Sequence, residues 1–146
     1  MTLLEQAQKF REIFNQETLS NISQYGFVKK QLWDMQFGLI TEEYLEFSEA
    51  VDECYADPEN VDRRTELVKE LSDLVFVCYQ FAAAFNIDLD EAMSRVFESN
   101  LSKLDEQGKP IFRADGKVLK GPNYMPPDLS DCAPEVQLNY YDTHGK

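Results

Sequence analysis

Two long stretches of this chain read as amphipathic helices whose apolar stripes are interrupted by carboxylates. Successive residues of an α-helix turn by about 100°. With Glu43 at zero, Gln36, Leu39, Phe47, Ala50 and Cys54 fall within about 40° of it, and Ile40 and Glu46 within about 60°. With Glu70 at zero, Glu66, Leu74, Val77, Phe81 and Ala84 fall within about 40°, and Leu67, Asp73 and Phe85 within about 60°. Each stripe thus carries an i, i+3 acid pair on the face that should pack. Glu42, Glu49 and Glu53 lie off to one side, where solvent accounts for them. An unpaired carboxylate is costly to bury, and several together cost more. A solvated face or lysine partners would explain one such pair. Two pairs on consecutive helices, with Arg63 the main basic candidate beside them, call for another compensating charge. Hard oxygen ligands suit Mg²⁺, with Mn²⁺ as a substitute.

The remaining chemistry is narrowed by elimination. His144 is the only histidine, so a Ser/His/Asp or Cys/His relay is excluded in practice and the reactive groups are expected to be carboxylates. Cys54, Cys78 and Cys132 are far apart and form no CxxC pair, which argues against a disulfide framework and a zinc site. A formal net charge of −13 opposes nucleic-acid polymers and anionic membranes. It leaves small phosphorylated ligands open, because bound cations reverse the field locally. Residues 103–120 are slightly basic, with Lys103, Lys109, Arg113, Lys117 and Lys120 against Asp105, Glu106 and Asp115. The least polar stretch, 74–85, is too short to span a bilayer. Glu5, Lys9, Arg11 and Glu12 stand where a signal peptide needs apolar residues, so a cytoplasmic location is expected.

The 146 residues are expected to form one domain. A helix fits 2–15, a loop 16–27 ends at Gly26, and a long helix runs from 28 to 56. Asp57 and Pro58 have the chemistry of an N-cap and first helical residue for a third helix that reaches about Phe85. Asp88–Glu91 reads as a capping box for a fourth helix, which Gly108 stops. Asp115-Gly116 sits between two short β-prone runs and predicts a hairpin. The fold class expected is all-α: an antiparallel four-helix bundle over 1–108, with a hairpin and extended tail over 109–146 in the same domain.

Glu42-Glu43-Tyr44-Leu45-Glu46 followed by Glu70-Leu71-Ser72-Asp73 resembles the EExxE…ExxD signature of the MazG-like, all-α NTP pyrophosphatases. That superfamily includes dimeric dUTPases and phosphoribosyl-ATP pyrophosphohydrolases. The resemblance covers about 28–105, with a somewhat longer gap between the motifs than in compact MazG domains. The runs Ser99–Leu104 and 121–129 are similar to those of small phage and bacterial members. EExxE alone is weak, but joined to ExxD and then to NxxK (Asn100 to Lys103) it becomes fairly specific.

The resemblance implies a metal site of Glu43, Glu46, Glu70 and Asp73. Glu42, Glu43 and Glu46 are its catalytic candidates, Glu42 orienting water and Glu43 or Glu46 taking its proton. Asn100 and Lys103 would bind substrate, and Lys120, Asn123 and Tyr124 would close over it. It further implies Mg²⁺-dependent cleavage of an NTP or dNTP to monophosphate and pyrophosphate, in dimers or dimers of dimers. A purine deoxynucleotide such as dGTP is the favoured substrate. The alternatives are dUTP or phosphoribosyl-ATP and, from another class, a non-catalytic interaction bundle. Trp33, Phe37 and Tyr44 read as core or interface aromatics before base-stacking ones. Cys54 and Cys78 read as small buried hydrophobes.

Overall fold

The computed structural model describes residues 1–19 and 30–133. Most of the expected loop 16–27, the start of the second helix at 28, and residues 134–146 with His144 lie outside them. Four α-helices and no strand occur among the described residues, which bears out the all-α class: α1 Leu3–Ile13, α2 Lys30–Ala56, α3 Val61–Ala84 and α4 Leu89–Leu101. They fall into two compact units, one within Met1–Ile87 and one at Asp88–Ala133. None of these helices is long and apolar enough to cross a membrane.

In the first unit α3 packs against both α1 and α2. Helix α1 starts with a complete capping box: the Thr2 hydroxyl accepts from the Glu5 N–H at 3.2 Å, and the Glu5 carboxylate accepts from the Thr2 N–H at 2.6 Å. Its inner face is Leu4, Ala7 and Arg11, spaced as one helical stripe. The Arg11 guanidinium is fully buried. It donates to the Glu17 carbonyl and, at 3.2 Å, to Gln80 Oε1, while Gln80 Nε2 donates to the Ala7 carbonyl at 3.2 Å. A buried cation is thus saturated by acceptors and pins α1 to α3. Burial lowers the Arg11 pKa, with the charge of Glu17 opposing the shift.

A short turn joins α2 to α3 and makes them neighbours. The expected cap moves here. Asn60, not Asp57, is the N-cap of α3: its side-chain oxygen accepts from the N–H groups of Asp62 and Arg63 at 3.0 and 3.2 Å. Asp57 stays in the turn and accepts from Asn60 Nδ2 at 3.0 Å. An N-cap must lie within two or three residues of the N–H it satisfies, and only Asn60 does. Farther along, Trp33 stacks on Phe85 at 3.9 Å, and Phe81 meets the indole edge-on. Leu19, Ala84 and Phe85 form the buried centre of that cluster. Trp33 is therefore core, whereas Phe37 and Tyr44 are exposed. Cys54 and Cys78 are half-buried, and all three thiols are free.

In the second unit Asp88 caps α4, accepting from the Glu91 N–H at 3.2 Å, but the expected capping box is not completed: the Asp88 N–H donates to the Cys132 carbonyl and the Glu91 carboxylate pairs with Arg95. The helix ends at Leu101 rather than running to Gly108. The Ser102 hydroxyl donates to the Ser99 carbonyl at 2.6 Å and accepts from the Met125 N–H at 2.9 Å. Such side-chain competition for backbone groups is how serine ends a helix. Gly108, at φ +75°, instead closes a separate turn in which its N–H donates to the Asp105 carbonyl at 2.9 Å. The Asp115-Gly116 hairpin forms, with Gly116 at φ +90°, but its ladder is the single bridge Phe112–Val118. An extended segment then leads to one 3-10 turn, Ser130–Cys132.

Candidate active site

Helices α2 and α3 bring together the acids that share their packing faces. One carboxylate oxygen from each of Glu43, Glu46 and Glu70 lies within 4.8 Å of the other two. The helical-wheel order carries over into burial for most of these acids, though Glu66 is exposed despite sharing the stripe of Glu70. Glu70 is 6% exposed and Glu43 is half-buried, while Glu46 and the off-stripe Glu42 and Glu49 are open to solvent. Among the described residues, Glu43 Oε2 and Glu70 Oε2 are shielded from water and have no hydrogen-bond partner. So is Gln36 Oε1, two turns earlier on the same face of α2. Orphaned buried oxygens on crowded carboxylates are costly unless a proton or a cation joins them.

The electrostatics agree. Burial pushes the Glu43 carboxyl above its ordinary range, and the charges of Glu46, Asp73 and Glu70 push it further. Glu66, one turn before Glu70, is also raised, chiefly by sharing a hydrogen bond with Glu70. Glu70 itself is lowered, mainly by Lys69. The Lys69 ammonium sits 3.0 Å from both Glu70 Oε1 and Asp73 Oδ2. Asp73 is close enough to act on Glu43, but its carboxylate is held by that lysine and stands outside the three-oxygen cluster. Arg63, the basic residue expected near these faces, pairs with Glu53 instead.

The second unit holds the other site candidates. Asn100 and Asn123 are exposed, and Lys103 and Tyr124 are half-buried. The Lys120 ammonium lies 4.6 Å from the centre of the Tyr124 ring, a cation–π contact.

The sequence model of the phosphoribosyl-ATP pyrophosphohydrolase family matches residues 7–100. The chain belongs to that family. The matched region contains all of α2 and α3, and with them every acid of the cluster. Phosphoribosyl-ATP pyrophosphohydrolases are MazG-like all-α enzymes, so the resemblance of the acid motifs holds. The protein is a pyrophosphohydrolase, a hydrolase of phosphoric anhydrides, and the non-catalytic bundle is set aside. The family acts with divalent metal, and Glu43, Glu46 and Glu70 are a fitting donor set: hard, anionic oxygens, two of them orphaned beneath the surface. No curated protein matches the chain significantly.

Two features of this site escaped sequence reasoning. Lys69 was overlooked because it lies off the apolar stripe, although its i, i+4 spacing to Asp73 is a signal for an ion pair. The Glu66–Glu70 contact was visible as an i, i+4 pair of like charges, a spacing that is unfavourable without a bridging proton or ion.

Proposed function

We propose that this pyrophosphohydrolase cleaves a nucleoside triphosphate, with a purine deoxynucleotide such as dGTP favoured, to its monophosphate and pyrophosphate with Mg²⁺. The observation that carries the reading is the pair of shielded, unpartnered oxygens on Glu43 and Glu70 inside a three-carboxylate cluster. Glu43, Glu46 and Glu70 would hold the metal, with Asp73 joining once it leaves Lys69. Divalent ions bound there supply the positive charge that neutralises the triphosphate and the departing pyrophosphate. Glu43 or Glu46 would take the proton of the attacking water. Glu42, exposed one residue away, orients that water from the solvent side. Lys103 and Lys120 would pair with phosphate oxygens, Asn100 would hydrogen-bond ribose or phosphate, and Lys120, Asn123 and Tyr124 would close over the ligand. Mn²⁺ can substitute for Mg²⁺.

A second copy of the chain belongs to this reading. The outer face of α1 and α3 is a groove of about 440 Å³ lined by Leu3, Gln6, Leu71, Val75, Phe76 and Tyr79 among others. Leu3, Leu71, Val75 and Phe76 are exposed there, an apolar surface of the kind that homodimers and dimers of dimers cover.

The test is a panel of the NTPs and dNTPs, including dUTP, together with phosphoribosyl-ATP, each with Mg²⁺ and an assay separating pyrophosphate from orthophosphate. Pyrophosphate release that EDTA and Glu43→Gln abolish supports the reaction and ranks the bases. Turnover of phosphoribosyl-ATP alone would replace the substrate. Orthophosphate as the first product would refute the cleavage position.

A further inference from the structure

Between Lys120 and Met125 the chain is anchored at both ends of a three-residue stretch, Pro122–Asn123–Tyr124, onto the end of α4. The first anchor is Gly121. A Cβ there would stand 2.5 Å from the Leu104 carbonyl oxygen and 2.6 Å from that of Lys103. Both obstacles are backbone, so no side-chain rotation relieves them; the requirement is for space. The second anchor is the Met125 peptide. Its carbonyl accepts from the Ser99 hydroxyl at 2.7 Å, and its N–H donates to the Ser102 hydroxyl at 2.9 Å. Ser99 is buried, and Ser102 is itself fixed by donating to the Ser99 carbonyl at 2.6 Å. Within the bracketed stretch the Tyr124 N–H donates to the Gly121 carbonyl at 3.3 Å, and the Lys120 ammonium rests over the Tyr124 ring.

We infer that Gly121, Ser99 and Ser102 are positioning residues that hold this stretch as a fixed wall, with Gly121, next to Lys120 in the chain, set against the main chain of Lys103. The inference rests on the reading above that Lys103 and Lys120 receive phosphate. Two lysines placed on one rigid support meet a triphosphate without first being ordered, which is where preorganisation gains affinity. The close approach of Gly121 to Lys103 is the link: widening it separates the two lysine-bearing segments while leaving both lysines in the sequence.

The experiment is calorimetric titration of the full-length protein with inorganic tripolyphosphate, with Ca²⁺ replacing Mg²⁺ to suppress turnover. Mn²⁺ binding by electron paramagnetic resonance is followed in parallel. Gly121→Ala and Ser102→Ala are each expected to weaken tripolyphosphate binding about tenfold. Ser102→Thr keeps the hydroxyl and should bind as wild type. Mn²⁺ binding, which needs only the acids of α2 and α3, should be unchanged in all three. If Gly121→Ala does not fold, the Ser102 pair decides. Wild-type binding by Ser102→Ala and Gly121→Ala, beside loss in Lys103→Met and Lys120→Met, would overturn the positioning role while leaving the phosphate role of the lysines standing. Equal losses in Ser102→Thr and Ser102→Ala would overturn it too. Wild-type binding by both lysine variants would remove the phosphate role and the inference with it.

Discussion

Acidic residues are abundant in both units, yet the two treat them in opposite ways. In the second unit the carboxylates that build its turns and its long-range contacts have donors. Arg113 holds Asp115, Ser130 holds Asp128, and Arg95 grips Asp131 through both its oxygens, and all three carboxyls fall below their ordinary range. In the first unit Glu43, Glu46 and Glu70 crowd one another across α2 and α3, two of them with orphaned oxygens, and Glu43 is raised. Lys69, the one cation bonded to that group among the described residues, is largely exposed and reaches only its edge. Carboxylates that lower their own pKa by finding donors build structure. A carboxylate such as Glu43, raised by burial and by its acidic neighbours, stores unfavourable energy in the free protein, which a divalent ion can release.

The largest expected effect breaks this contrast directly. Glu43→Gln and Glu70→Gln should each lower kcat by about a thousandfold or more, since a ligand and its charge are lost. In Glu43→Gln the Tm of the metal-free protein should rise, because repulsion is removed along with function, whereas Glu70→Gln, which loses its bond to Lys69, should gain no stability. Asp131→Asn should do the reverse, lowering the Tm while sparing the metal site. Thermal denaturation with and without EDTA, beside steady-state kinetics, measures both. A fall in metal-free Tm on removing Glu43 would mean that the cluster is an ordinary structural network, and the comparison would fail.

Lys69 offers a smaller effect that sharpens the same contrast. Its ammonium bonds to Glu70 and Asp73, so it competes with an incoming ion for two acids of the motif. Lys69→Met should tighten Mn²⁺ binding several-fold, as read by paramagnetic resonance, and lower the metal-free Tm. Unchanged or weaker Mn²⁺ binding would show that the lysine does not compete.

How much of this was readable beforehand depends on the range of the interaction. The burial of Glu43 and Glu70 follows from the 100° turn and their apolar neighbours alone, and the caps at Thr2 and Asp88 are set by residues within one turn. The motif spacing then carried the family and the reaction class. Misses came where a choice depended on distant partners. Asp57-Pro58 and Asn60 are both plausible starts for α3, and geometry at the turn selects Asn60. The end of α4 is decided by Met125, twenty-three residues beyond Ser102, so the nearer signal at Gly108 misled. Arg11, polar on an otherwise apolar stripe, finds its acceptor on Gln80 across the unit, which no local pattern announces.

The smallest effect is in the pH dependence of stability, where the two units should pull in opposite directions. Glu43 keeps its proton to higher pH when folded than when unfolded. Between those two pKa values the folded state holds more protons, so metal-free stability falls as pH rises through that window. Asp131 has a depressed folded pKa. Its contribution is present above the ordinary aspartate value and is lost as pH falls through the folded one. Metal-free stability should therefore decline on both sides of a mildly acidic optimum, for unrelated reasons. Glu43→Gln should flatten only the alkaline side, and saturating Mg²⁺ should do the same by favouring the ionised form; Asp131→Asn should flatten only the acid side. Tm measured across pH in the three proteins checks this. An alkaline decline that survives both Glu43→Gln and Mg²⁺ would show that the strain lies elsewhere than in the α2–α3 acids.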